Sequence, residues 1–122
     1  MPCEEVCIGT NDYDVAEVYC VQMRKSRKTH RCCECGETIA TGQRYEYASM
    51  IYEHEPFTFK TCSSCEEIRR HFTCGEGFVL TTLWEEIHEY VFPVLTLKCL
   101  DGLSPENKTR VIEKWRLWKG LP

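Results

Sequence analysis

Two Cys-x2-Cys pairs, Cys32/Cys35 and Cys62/Cys65, stand with 26 residues between them, and the first reads Cys32-Cys33-Glu34-Cys35-Gly36. Four thiolates in this pattern suit a Zn2+ ion, which is borderline-soft and takes tetrahedral sulfur ligands at about 2.3 Å. Two residues between ligands let one tight turn aim both sulfurs at one metal. Gly36 then allows the positive-φ backbone that such a turn favours. The second pair stands where a helical period begins, so backbone N–H groups and the helix dipole would support a negative site. Cys33 could replace Cys32 only by leaving a single residue before Cys35, which strains the turn. Buried free thiols or disulfides are the competing reading, and the paired spacing argues against them.

The chain has ten cysteines in 122 residues, a high count for one small domain. The N-terminal residues have no basic and apolar signal pattern, and no run approaches the ~18 apolar residues that span a bilayer. The expectation is a cytoplasmic protein whose thiols stay reduced and available to metal. Cys3-x3-Cys7 and His71-x2-Cys74 have ligand-like spacing and make a candidate second metal site. In the alternative, Cys3, Cys7, Cys20, Cys74 and Cys99 are small hydrophobes in a reduced core.

The elements that must position these ligands read as follows. Residues 1–13 lack any period and form a loop-like arm. Residues 15–23 alternate as a strand, with Val15, Glu17, Tyr19, Val21 and Met23 on one side. Residues 24–31 are a basic connector. Residues 45–52 and 57–60 form a hairpin around a turn at 53–56, with Pro56 suited to an edge or turn. Cys65, Ile68 and Phe72 mark a helix. Thr82 and Glu85 predict a capping box for a second, with Leu83, Trp84, Ile87 and Val91 as its stripe until Pro93. Ser104, Pro105 and Gly120 bound a third, whose buried face is Val111, Ile112, Trp115 and Trp118. The fold class is α+β: an arm, strand and connector at 1–31, a zinc-stapled finger at 32–75, and a helical annex at 76–122.

That order of knuckle, hairpin and helix, with Cys32-Cys33-Glu34-Cys35-Gly36, Ile39, Gly42, Tyr45 and Thr61-Cys62-Ser63-Ser64-Cys65, resembles the treble-clef zinc-finger group. The stretch 30–72, with its basic lead-in and the acidic Leu/Trp-rich segment after it, is also similar to small zinc-binding phage and prophage proteins of unassigned role. The second resemblance implies residence in a host cytoplasm and a host protein as partner, with inhibition of that protein as the expected effect.

Treble clefs also carry His-Asn-His nucleases, whose hairpin His works beside a metal-holding His or Asn on the next helix. Here His54 and His71 stand at comparable places. The only asparagines are Asn11 and Asn107, both outside the finger, so the set a general base needs is incomplete. No small-molecule site is evident, and the expectation is a protein that is not an enzyme.

Net charge is −4 and unevenly spread. Residues 1–23 hold five acids and no base, whereas 24–75 hold nine bases against seven acids. A generic DNA-coating protein would be basic throughout, so nucleic-acid binding here needs a local patch. Arg24, Lys25, Arg27, Lys28 and Arg31 supply one, which Arg69 and Arg70 would extend, with Tyr45, Tyr47, Tyr52, Phe57 and Phe59 as stacking candidates if exposed. The plainer reading gives the aromatics to the hairpin's buried face and the bases to a solvated linker that pairs with the acidic arm. Trp115 and Trp118 are hot-spot residue types and candidates for a protein partner, or else they lock the last helix onto Leu83, Trp84 and Ile87. The leading expectation is a zinc-binding protein with a macromolecular, host-protein partner. A nucleic-acid accessory factor comes second and a degenerate nuclease third.

Overall fold

A computed structural model describes residues 18–73 and 81–120, an α+β arrangement of one three-stranded sheet, one two-stranded sheet and three α-helices. Strand β1 (Val18–Lys25) pairs antiparallel with β4 (Arg44–Tyr52), which pairs antiparallel with β5 (Glu55–Cys62). A two-residue ladder joins β2 (His30–Arg31) to β3 (Thr38–Ile39) and folds the first Cys pair into a knuckle. Helix α1 (Ser63–Phe72) follows β5 directly and lays Cys65, Ile68 and Phe72 into the core, the stripe that its sequence period predicts.

Several boundaries differ from expectation. The strand runs on through Arg24 and Lys25, so a quarter of the basic connector is already sheet. His30 and Arg31 are strand as well, which leaves only 26–29 to connect. Residues 15–17 lie outside the description, and Val21 and Met23 are exposed. The hairpin turn tightens to Glu53 and His54, both at positive φ. Pro56 is therefore inside β5, where an edge strand tolerates its missing N–H.

The second helix is shorter than its stripe implied. Only α2 (Leu83–Glu86) is α-helical; Ile87–Val91 is π-helical and Phe92–Val94 is 3-10, with Pro93 inside that last turn. Leu83, Ile87 and Val91 recur every four residues and are all fully buried. On a 3.6-residue turn such a stripe drifts by about 80° while staying on one face. A wider i→i+5 turn holds it in place. Thr82 makes no side-chain cap bond, so the expected capping box does not form. The Glu34 carboxylate of the knuckle accepts from the Leu83 and Thr81 N–H groups instead, at 3.1 and 3.0 Å.

Helix α3 (Pro105–Trp118) begins and ends as its Ser, Pro and Gly predicted, with Gly120 at φ +76°. Ser104 stands at the cap position but its side chain makes no cap bond to the helix. Its own N–H donates to Glu67 of α1. Val111 is fully buried, and Ile112 and Trp115 pack on the core. Trp118 is 42% exposed, so the buried face narrows toward the helix end. Among the described residues, no helix is long and apolar enough to cross a membrane.

Candidate metal centre

The two-residue β2–β3 ladder closes the knuckle, and Gly36 turns it at φ +76° while its N–H bonds the Cys32 carbonyl at 3.0 Å. Cys32 and Cys35 thereby face one side. Across from them, Cys62 ends β5 and serves as N-cap of α1, its sulfur accepting from the Cys65 N–H at 3.4 Å. The Cys32 sulfur accepts the N–H groups of Cys62 and Glu34 at 3.3 and 3.4 Å. All four sulfurs lie within 4.8 Å of one another, and Cys35 and Cys62 are 3.9 Å apart. A tetrahedron with bonds of about 2.3 Å has sulfur edges near 3.8 Å. The four cysteines predicted as ligands are thus gathered into one group that could hold a metal ion, with a geometry compatible with zinc. Cys32 and Cys65 are buried, and Cys35 and Cys62 are half-buried.

Proton sharing shows how strongly the thiols crowd. Thiol hydrogen bonds from Cys62 and Cys65 pull Cys32 far below the usual thiol range. The same bond to Cys32 raises Cys62 to about 11, and Cys65 is raised further by its bonds to Cys32 and Cys62 together with burial. One thiolate is thus held by its neighbours' protons. A divalent cation would replace those protons and let all four sulfurs ionise.

Residues from the annex complete the surroundings, and sequence spacing gave no sign of them. Arg110 of α3 donates to Ser64 Oγ at 2.7 Å and to Glu37 at 2.6 Å. Burial pulls its guanidinium down, but the Cys35 sulfur that accepts from it, with the charges of Cys65 and Cys35, outweighs this and raises it. The guanidinium also lies 5.3 Å from the Trp84 ring centroid. A four-thiolate centre carries about −2 with its metal, and Arg110 is a cation placed against it. Behind α1, Ser64 donates to Asn107, and Asn107 and the Ser104 N–H both donate to Glu67. No linear motif marks a contact between a knuckle and a helix that starts 42 residues beyond α1's start.

The other candidate residues scatter. Cys3, Cys7 and Cys74 lie outside the described residues. His71, the fourth member of that set, places Nε2 at 2.6 Å from the Cys99 carbonyl oxygen. Cys99 is disulfide-bonded and Cys20 is exposed, so neither is the free core thiol expected of it. Cys33 points to the Thr61 hydroxyl at 3.5 Å, away from the ligand set. His54 is at the far end of the eight-residue β5 from Cys62, about 25 Å along a strand. Among the described residues, neither His54 nor His71 joins a group of three ligating side chains. Asn107 is buried and engaged with Ser64 and Glu67.

The basic residues divide. Arg69 is buried in an ion pair with Glu46 at 2.5 Å, and Arg70 pairs with Glu66 one turn back. Neither extends the patch as expected. Arg24, Lys25, Arg27 and Lys28 surround a cleft of about 980 Å³ with His30 and Tyr45. Arg31 is outside that lining and donates to the Gly36 carbonyl at 3.1 Å. Of the hairpin aromatics, Tyr45 is buried and Phe57 is exposed, while Tyr47, Tyr52 and Phe59 are half-buried. The chain matches no protein-family model, no curated protein and no solved structure.

Proposed function

We propose that this chain is a non-enzymatic, zinc-structured binding protein, a treble clef whose helical annex engages a protein partner. Cys32, Cys35, Cys62 and Cys65 hold the ion, and what it supplies is folding energy. The observation that carries this reading is the closed set of four sulfurs. Structural zinc sites use four protein ligands, whereas catalytic ones keep a position for water. The knuckle, the β4–β5 hairpin and α1, in that order around the ligands, support the treble-clef assignment.

The partner reading rests on the annex surface. Tyr90, Val94, Leu117 and Trp118 are all exposed. Trp118 packs its ring 5.8 Å from Phe92, which lies between Tyr90 and Val94 in sequence. Exposed large apolar side chains on a small annex are the residues a partner would cover, and Trp and Tyr are the types that anchor an interface. Trp115, the other candidate, is tied inward by its Nε1–H donating to the Phe92 carbonyl at 3.3 Å. The resemblance to phage proteins makes a host protein the partner.

The test is affinity capture from source-cell lysate, comparing wild type with Leu117→Glu/Trp118→Glu at equal zinc content. A stoichiometric protein retained by wild type and lost from the variant is the expected result. Equal retention by both, or no stoichiometric protein with either, overturns the annex as the docking face.

A further inference from the structure

The basic cleft has features that the annex reading does not use. Four bases line it (Arg24, Lys25, Arg27 and Lys28) and no acid does. None of these bases is ion-paired to a carboxylate among the described residues. Their loop is built rather than slack. Ser26 is buried, its N–H donates to the Gln43 carbonyl at 2.8 Å, and its carbonyl accepts from Gly42 at 2.8 Å. The Ser26 hydroxyl also donates to the Lys28 carbonyl. A solvated linker would need none of these bonds. Like charges held this close repel, and an anion in the cleft would relieve that.

The neighbouring sheet face adds a flat surface. Gln22, Tyr47 and Lys60 are opposite one another across the three strands, as are Arg24, Tyr45 and Cys62 one pair along. The Arg24 guanidinium lies over the Tyr47 ring, its carbon 3.8 Å from the centroid, with the Lys60 ammonium 5.7 Å from the same centroid. A guanidinium so stacked keeps its outer plane free for a base, while the cleft bases take phosphates.

We infer that this cleft is a binding site for the phosphodiester backbone of single-stranded nucleic acid, with the Arg24–Tyr47 stack as its base platform. Duplex reading by the finger helix fits poorly, because α1 has committed Arg69 and Arg70 to Glu46 and Glu66. A concave site of a few nucleotides' size suits a single strand. The site is separate from the annex surface, and the two readings stand or fall independently.

The test is fluorescence anisotropy of the zinc-loaded full chain with a labelled 15-nucleotide oligothymidylate, at about 50 mM salt and above. Duplex DNA of equal length and polyglutamate serve as competitors. Wild type is expected to bind with log K falling against log salt at a slope of about −3, four phosphates at about 0.7 each. Arg27→Glu/Lys28→Glu should weaken binding at least about tenfold. Lys98→Glu, a charge reversal outside the cleft, should change it less than about twofold. Absence of binding at the lowest salt, an equal loss with Lys98→Glu, or equal competition by duplex or polyglutamate each overturns the proposal. Zinc content and far-UV circular dichroism of each variant exclude misfolding as the cause.

Discussion

Between Cys32 and Phe72 the chain is ordered by ladders and ligands, whereas between Leu83 and Leu100 it passes from α to π to 3-10 geometry. The finger draws its shape from interactions that its own residues specify. The knuckle ladder, the β4–β5 register and the N-cap sulfur of Cys62 all lie within the 43 residues from His30 to Phe72. The annex draws its shape from what it is packed against. Its first turn is capped by Glu34 of the knuckle, its last helix is tied to Glu67 and Ser64 of α1, and Arg110 reaches the sulfur cluster. The finger is a frame, and the annex is fitted to it. The difference teaches that polar groups flanking the cysteines, together with one apolar core shared by finger and annex, decide where the annex sits.

Metal removal should break the comparison most severely. Zinc bound by four thiolates contributes on the order of 10 kcal/mol or more to folding. Chelation or Cys65→Ser should therefore unfold the finger and release the annex with it, read as loss of dispersed amide resonances from both regions. An annex that kept its resonances with the finger unfolded would show it to be an independent unit.

A smaller effect separates packing from ligation. Ile87 is fully buried in the π-helical turn, and Ile87→Ala should destabilise by about 2–4 kcal/mol in urea melts while one zinc per chain is retained. Loss of zinc on that substitution would mean that annex packing helps to form the site. The mildest change tests the link itself. Arg110→Met keeps the stem but removes the cation, and metal affinity should fall about 10- to 100-fold by chelator competition, with the fold intact at saturating zinc. Unchanged affinity would leave Arg110 as a tether between α3 and Glu37 alone.

How much of this was legible beforehand differs along the chain. The four-cysteine group was, because Cys-x2-Cys with a following glycine describes a local geometry that few other structures satisfy. Helix α1 was legible because Cys65, Ile68 and Phe72 keep an α period, and α3 because Ser104, Pro105 and Gly120 are strong local boundary signals. The π turn was not. Leu83, Ile87 and Val91 are compatible with an α stripe, and the choice between the two depends on where the core lies. The missing capping box has a tertiary counterpart, since the Glu34 carboxylate arrives from 49 residues away and takes the Leu83 N–H, one of the free donors of the first turn.

The basic run and the last helix show the division most plainly. Charge and residue type alone determined that 24–31 is cationic and that 105–118 is amphipathic. Pairing β1 with β4 and β2 with β3 decided which bases surround a cleft, and left Arg31 outside it. Packing on Phe92 decided that Trp115 turns inward and that Trp118 keeps an exposed edge. Sequence by itself fixes chemistry that acts over a few residues: ligand spacing, caps and periods. Side chains that meet from distant segments are sorted into ligand shell, core or surface only when the backbone closes, because burial and charge compensation depend on every neighbour at once.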